Sequence, residues 1–300
     1  MTKQRCWQIA KYLIIIAVMT LLSGCGGDYI VLDPKGPVGH TEKHLIILSI
    51  VLAAIVCVPV LLILIYVVYR YRDKPDNNAP YTPFWDTSKT LEFLWWGVPI
   101  IIIAILAYHT TKGIYSLVKP PTTDKTPITI QVTSLDWKWL FQYPDSNIAT
   151  VNHVRIPTGV PVQFILTADA PMNSFWVPQL GGQEYTMPGM AMRLWLQADH
   201  PGKYFGSGAM FSGEGFAHMK FPVVATPQAD FNRWVKKVKK TAPPLNQDGY
   251  DALKNPGLID QRTYSSYPPN SFDETLMKNG HHHLQRRNEN NKEHNPTGTD

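Results

Sequence analysis

The side chains best suited to bind copper or zinc, thiolates and imidazoles, are unevenly distributed along this sequence. The three cysteines are Cys6, Cys25 and Cys57; all lie in or beside apolar segments, and none follows residue 57. The rest of the chain can therefore contain neither a disulfide nor a thiolate metal ligand. A folded domain in that part must depend on its hydrophobic core.

Cys25 has a different chemistry, because it ends a segment typical of secretion signals. Basic residues precede an apolar stretch from Leu13 to Leu22, and the string LSGC ends at Cys25. A charged start, a short apolar segment and small residues at the cleavage point are typical of a secretory signal. LSGC resembles a bacterial lipobox, in which the cysteine is lipidated and becomes the mature N-terminus. We predict a signal peptide at 1–24 and lipid attachment at Cys25; the alternative is an uncleaved anchor with an incidental cysteine.

One carboxylate lies at the edge of an apolar segment. Glu92 directly precedes the apolar run 93–108. An ionisable group in this position is costly unless it is paired or hydrated, so it is a functional candidate. The alternative is an interfacial anchor whose carboxylate reaches water.

Two apolar segments are expected to position these residues in a membrane. Residues 45–69 carry no charge and, as a helix, exceed the ~30 Å hydrocarbon core. The run before residue 110 crosses too if its flanking turns are counted. We predict transmembrane helices at 45–69 and 91–111, an external segment at 25–44 and a loop at 70–90.

The orientation follows from a lipidated Cys25 outside the membrane. Two crossings then place the loop 70–90 in the cytoplasm and the chain after Lys112 in the periplasm. The basic residues of that loop agree weakly with this orientation. We expect a multi-pass lipoprotein of the bacterial inner membrane.

After a Pro-rich linker at 112–127, the sequence is typical of β-structure. Short runs rich in β-branched and aromatic residues alternate with Gly and Pro, which indicates a sandwich or barrel. We predict an all-β domain at 128–226. The runs that carry this prediction are ITIQVTSLDWKWLF, VPVQFILTAD, MRLWLQAD, KYFGSGAMF and MKFPVVAT.

The C-terminal part is predicted to be helical at 227–280, beginning with an amphipathic helix that docks by its apolar face. A polar, disordered tail is predicted at 281–300. His281, His282 and His283 lie in that tail and lack a preorganised geometry, so we predict no metal site there. The net charge of +5 is small and scattered, which argues against nucleic acid as a partner.

Four strings, in order along the chain, resemble subunit II of the haem-copper oxidases. They are LEFLWWGVPI, DWKW, SFWVPQLGGQ, and MPGMAMRLWL followed by PGKYFGSG. The resemblance covers most of residues 25–240. It implies a membrane α-helical hairpin of two transmembrane helices plus an all-β cupredoxin-like periplasmic sandwich, here with a C-terminal helical extension.

Members of that family that oxidise cytochrome c hold a binuclear copper centre in this domain. Its ligands are two cysteines four apart, two histidines, a methionine and a carbonyl, and the bridging thiolates have no substitute among other side chains. A lone histidine such as His218 cannot restore a two-copper site. The resemblance therefore implies a domain without copper. The matching positions are Asn173 and Phe216 for the histidines, Gly208 and Ser212 for the cysteines, Met210 for the carbonyl donor, and Met219, which alone keeps its type.

Family members without this centre are quinol oxidases. The lipobox with LDPKGPVG looks most like the bo-type ubiquinol oxidases of Gram-negative bacteria; menaquinol oxidases of Gram-positive bacteria are the near alternative. The resemblance implies a structural subunit of a terminal oxidase that oxidises ubiquinol, reduces oxygen to water and pumps protons. In such proteins a glutamate at the position of Glu92 lies at the mouth of a proton-uptake channel.

The expected partners are subunit I, which would carry the haems and copper, small membrane subunits, ubiquinol as the complex's substrate, and lipids. No cofactor is expected in this chain and no cytochrome c as donor. Trp137 and Trp139 are expected to be buried or to contact subunit I. Two other readings stay open: a free-standing lipoprotein binding module with the same fold, and a copper-bearing cytochrome c oxidase subunit, against which the missing thiolates argue.

Overall fold

The computed structural model describes residues 29–73, 77–80, 82–121 and 124–278. Two long apolar helices are followed by two facing β-sheets and a C-terminal extension. The predicted signal peptide with Cys25 and the tail with His281 to His283 lie outside the described residues.

Helices α1 (Pro37–Arg70) and α2 (Lys89–Leu117) pack against each other and are long and apolar enough to cross a membrane. At one contact, a Cβ on Gly113 would lie 2.9 Å from Leu45 Cδ1, so the glycine permits the close approach. Their large apolar side chains are mostly exposed, as expected where lipid is the solvent. Two apolar spans are thus confirmed.

Both helices are longer than predicted. Helix α1 begins at Pro37, not at residue 45, because Pro suits a first helical turn and the residues after it contact the β-domain. Helix α2 continues to Leu117, so the first part of the predicted linker 112–127 is helical. The apolar runs marked only the part of each helix that could lie in lipid. They therefore underestimated the length of α1 at its start and of α2 at its end.

The β-domain is a sandwich of a six-stranded and a five-stranded sheet. The strand orders are β11-β3-β2-β1-β5-β8 and β4-β10-β9-β6-β7. Pairs β1–β5 and β4–β10 are parallel and the other pairs antiparallel. The strands are β1 Ile128–Leu135, β2 Lys138–Tyr143, β3 Ile148–Val151, β4 Val154–Pro157, β5 Val162–Ala168, β6 Asn173–Trp176, β7 Gln183–Thr186, β8 Met192–Leu196, β9 Gly202–Gly208, β10 Lys220–Thr226 and β11 Arg262–Tyr264.

An aromatic cluster fills the space between the sheets. Trp139, Phe141, Phe164, Phe175 and Phe221 are buried, and the rings of Phe175 and Phe221 stack with centroids 5.1 Å apart. Burial of large apolar rings is the main favourable contribution to folding in a domain without disulfides. The predicted all-β sandwich is confirmed.

Two details of the domain differ from the prediction. The run 128–141 is not one strand, because Trp137 has φ +64° and a two-residue turn joins β1 to β2.

The region 227–280 is not purely helical. It contains α3 (Gln228–Thr241), α4 (Gln247–Lys254) and a helical segment at 271–278, but β11 pairs with β3 at a sheet edge, where Tyr264 packs on a small second core.

Candidate functional site

Four of the six matched copper positions meet at one end of the sandwich. Asn173 begins β6, Gly208 ends β9, and Ser212 and Met219 lie on the loop from β9 to β10. Asn173 Nδ2 lies 3.0 Å from Met219 Sδ and 3.3 Å from Ser212 Oγ, and Ser212 Oγ lies 3.5 Å from the same sulfur. A Cβ on Gly208 would lie 2.9 Å from Asn173 Oδ1. We call Asn173, Gly208, Ser212 and Met219 the amide cluster.

The amide cluster is closed by its own hydrogen bonds. Asn173 Nδ2 donates to the thioether and the hydroxyl, while its Oδ1 accepts from Ser174 N at 2.7 Å. Asn173 and Met219 are buried. A buried amide whose donors and acceptor are used internally stabilises packing rather than presenting free ligands.

These residues do not fit the binuclear copper centre of the fold family. That centre needs anionic sulfur bridges, whereas the amide cluster offers one neutral thioether, one amide and one hydroxyl. Among the residues that the structure describes, no group of three or more His, Cys, Asp or Glu side chains could hold a metal ion.

Phe216 and His218 lie on a short 3₁₀ turn beside the amide cluster. Among the described contacts, the His218 side chain makes no hydrogen bond to the cluster. The Phe216 ring packs edge-on against Phe211, with centroids 5.8 Å apart. His218 is exposed and lines a different cavity with Trp137 and Asp260. The matched position Phe216 therefore belongs to the loop's own packing.

Trp137 holds the loop between β9 and β10 in place. This role was not predicted from the sequence. Its indole Nε1 donates to Ser212 O at 3.1 Å, and a Cβ on Gly215 would lie 2.2 Å from its ring. Gly213, at φ +109°, also lies against the ring. The glycines in the loop string GSGAMFSGEGF were the available signal, since close approach to a ring requires residues without a side chain. Trp139 is buried and donates to Met219 O at 3.3 Å.

A second set of contacts joins the β-domain to the start of α1; we call it the junction. Lys35 N donates to Gln179 O at 2.7 Å, and Gly39 N donates to Leu180 O at 3.1 Å. Gly182 N donates to Glu42 Oε1 at 2.8 Å. A hydrogen bond from Asp199 N to Lys35 O, 2.8 Å long, closes the set.

The junction leaves no room for side chains at its glycines. A Cβ on Gly36 would lie 1.9 Å from Gln197 O, and one on Gly181 would lie 2.6 Å from Leu196 Cδ2. The strings LDPKGPVG and SFWVPQLGGQ therefore contact each other. This contact sets the orientation of the β-domain on the first span.

Glu92 lies in the first turn of α2, away from both sets of contacts. Its N–H donates to Ser88 O at 2.9 Å, and Ser88 Oγ accepts from Leu91 N at 3.5 Å. The Glu92 side chain is exposed. An acidic residue here is also favourable for the helix dipole, which provides a local explanation for its presence.

Lys138 is a buried cation that joins the β-domain to the C-terminal extension. Its Nζ donates to Leu253 O at 3.1 Å and to Asn255 O at 2.7 Å. Burial lowers the pKa of Lys138, and the nearby Asp136 carboxylate opposes that shift. Carbonyl oxygens at the end of α4 thus receive a charged donor, as helix C-termini favour.

Two family models match the chain, one in each of its two parts. The family model "Cytochrome C oxidase subunit II, transmembrane domain" matches residues 34–112, and "Cytochrome C oxidase subunit II, periplasmic domain" matches residues 146–227. The crystal structure of the periplasmic domain of subunit II of cytochrome oxidase from Bradyrhizobium japonicum is 22% identical, with a TM-score of 0.38, and the match covers 41% of this chain and 98% of that one.

Two curated relatives match over most of their length. "Quinol oxidase subunit 2" of Bacillus anthracis is 43% identical over 267 residues, which is 88% of this chain and 91% of that protein. "Cytochrome bo(3) ubiquinol oxidase subunit 2" of Pseudomonas putida is 42% identical over 257 residues, 85% of this chain and 81% of that protein. With two membrane-anchoring helices and the periplasmic-type domain in place, the chain belongs to the cytochrome c oxidase subunit II family, as subunit II of a quinol oxidase.

Proposed function

We propose that this chain is the non-redox, structural subunit 2 of a bo-type ubiquinol oxidase. The complex would oxidise ubiquinol, reduce oxygen to water and pump protons, with its haems and copper in subunit I. The observation that carries the proposal is the amide cluster. Its side chains are neutral and hydrogen-bonded within the domain, at positions that the family resemblance matches to copper ligands. Without a redox group, this chain has no means of accepting an electron from cytochrome c.

The choice of ubiquinol rests on two supports. The lipobox and the string LDPKGPVG resemble the bo-type enzymes, and the name of the Pseudomonas putida relative specifies ubiquinol. The name of the Bacillus anthracis relative specifies only a quinol, so menaquinol is the competing donor.

The test is oxygen consumption by the complex purified through this chain. Ubiquinol, menaquinol and reduced cytochrome c are supplied in turn to the same preparation. The proposal predicts rapid oxygen uptake with ubiquinol, slower uptake with menaquinol and none with cytochrome c. Rapid uptake with cytochrome c would refute the structural role, faster uptake with menaquinol would reassign the donor, and purification without a haem-bearing partner would favour a free-standing binding module.

We further propose that Cys25 carries the lipid and that the β-domain lies in the periplasm of an inner membrane. The junction would then hold the domain against the first span just after the lipidated terminus. The mass of the mature N-terminal peptide tests this: a diacylated Cys25 is expected, and Cys25→Ser should leave the signal uncleaved. An unmodified Cys25 within an intact leader would contradict it.

Glu92 is proposed as a proton-uptake group at the cytoplasmic start of α2. Its exposed carboxylate has no ion pair among the described residues, so it is available to exchange protons with water. Glu92→Ala and Glu92→Gln should both lower turnover and proton pumping without changing assembly, whereas Glu92→Asp should retain most of both. Normal oxygen consumption and pumping in Glu92→Gln would leave only the helix-dipole explanation.

A further inference from the structure

A cavity lies where the membrane helices meet the β-domain. It has a volume of about 530 Å³, within the ~300–1,000 Å³ typical of ligand sites. One wall is the end of α2, with the apolar side chains of Ile114 and Leu117. Strands β7 and β8 also line the cavity, and Trp195 of β8 is half-buried. Tryptophan favours the membrane–water interface, and the position at the outer end of a membrane helix agrees with that depth.

Four charged side chains surround this cavity. Lys119 follows α2 and Arg193 lies on β8, and both are exposed; Glu42 lies on α1 and Glu184 on β7. Although the four share one cavity, none forms an ion pair with any residue that the structure describes. The cations therefore lie too far from the carboxylates to pair directly, and a ligand between them could contact both.

The two carboxylates are held in place by backbone groups. Glu42 Oε1 accepts from Gly182 N at 2.8 Å, and Glu184 Oε1 accepts from Tyr185 N at 2.9 Å. Each carboxylate keeps a second oxygen for another donor. The sites for an ammonium group are thus preorganised, which lowers the cost of binding.

We propose that this cavity binds the headgroup of a phosphatidylethanolamine molecule from the outer surface of the membrane. Lys119 and Arg193 would contact the phosphate, Glu42 and Glu184 the ammonium, and the acyl chains would descend along the apolar end of α2. A purely anionic headgroup would leave the two carboxylates without a cation. Membrane lipid is also present there at high local concentration, unlike a soluble zwitterion. The inference depends on the membrane anchor but not on the electron donor of the complex.

The first test measures lipid retained by the purified complex in nanodiscs of mixed phosphatidylethanolamine and phosphatidylglycerol. After exchange into detergent, native mass spectrometry counts the bound phospholipids. The variant Lys119→Gln with Arg193→Gln should hold one phosphatidylethanolamine fewer, with an affinity reduced about tenfold or more by loss of charge-assisted contacts. Lys236→Gln with Lys239→Gln, an equal charge change on the exposed face of α3, should lose none.

The second test separates the headgroups. Glu184→Gln keeps the oxygen that accepts from Tyr185 N, so the fold should be unchanged. This variant should still retain a phospholipid but lose the preference for phosphatidylethanolamine over phosphatidylglycerol. Gln163 also lines the cavity, so a photoreactive residue at that position should cross-link to lipid. Three results would overturn the proposal: equal retention in the cation variant, preferential retention of phosphatidylglycerol by the native chain, or cross-linking from position 163 to a partner protein instead of lipid.

Discussion

The amide cluster and the junction lie at the two ends of one segment, and they are held together by different kinds of contact. Strand β6 begins at Asn173 in the amide cluster, and the loop after it reaches Gln179 and Gly182 in the junction. The amide cluster depends on hydrogen bonds between side chains. The junction depends mainly on backbone groups and glycines, with the Glu42 carboxylate as its side-chain acceptor. One region is thus closed by side chains that pair with each other, and the other by backbone groups packed against positions without side chains.

The largest expected effect is at the junction. Gly36→Ala would place a Cβ 1.9 Å from Gln197 O, a contact with backbone that cannot move aside easily. We expect a loss of about 2–3 kcal/mol in unfolding free energy of the β-domain. Faster amide exchange should also appear at residues 179–182. The control is Gly97→Ala in α2, where nothing lies within 4 Å of the added carbon; equal stability in the two variants would contradict the account.

The next effect is on the loop over the amide cluster. Trp137→Ala removes the half-buried ring that packs on Gly213 and Gly215, and should cost about 2 kcal/mol, roughly half of a fully buried aromatic deletion. Limited proteolysis should then cut within residues 209–219. Phe211→Ala, on the same loop but 76% exposed, should leave the cleavage rate near that of the native chain. A loop that stays resistant without Trp137 would show that other contacts hold it.

A smaller effect is expected within the amide cluster. Asn173→Ala removes the donor to Met219 Sδ and the acceptor of the Ser174 N–H, and should cost about 1–2 kcal/mol. Turnover with quinol should not change, since the side chain is structural. Denaturation and oxygen consumption, measured on one preparation, separate the two effects. A fall in turnover at unchanged stability would assign Asn173 a functional role.

The smallest effect is expected at Glu42, where two substitutions separate the hydrogen bond from the charge. Glu42→Gln keeps an oxygen to accept from Gly182 N, so stability should change by less than about 0.5 kcal/mol, whereas Glu42→Ala should cost about 1 kcal/mol. Thermal denaturation of both variants measures the difference. Equal losses would mean that the charge, not the hydrogen bond, holds the junction.

Much of the fold could be predicted because its signals are local. Charge-free stretches indicated both spans, and alternating β-branched runs indicated the sandwich. The resemblance matched Asn173, Gly208, Ser212, Phe216 and Met219 to ligands of one site. The structure brings four of these together, and Phe216 packs on Phe211 instead.

Three features could not be predicted, because they depend on contacts between residues that are far apart in the sequence. The turn at Trp137 lacks the usual Asn-Gly signal, and its backbone conformation is set by the loop it holds. The short strand β11 forms only because the edge of β3 is available. The junction consists mostly of backbone hydrogen bonds between residues 35–39 and 179–199, with the Glu42 carboxylate as one side-chain acceptor, and backbone groups leave no trace in residue type.

The most direct test of the central claim is the copper content of the full-length chain in detergent, after saturation with copper and removal of the excess. The amide cluster predicts no retained copper and no visible absorption from copper–thiolate bonds, because neutral donors already paired with one another cannot bridge two ions. Stoichiometric copper with an intense purple colour would contradict the account.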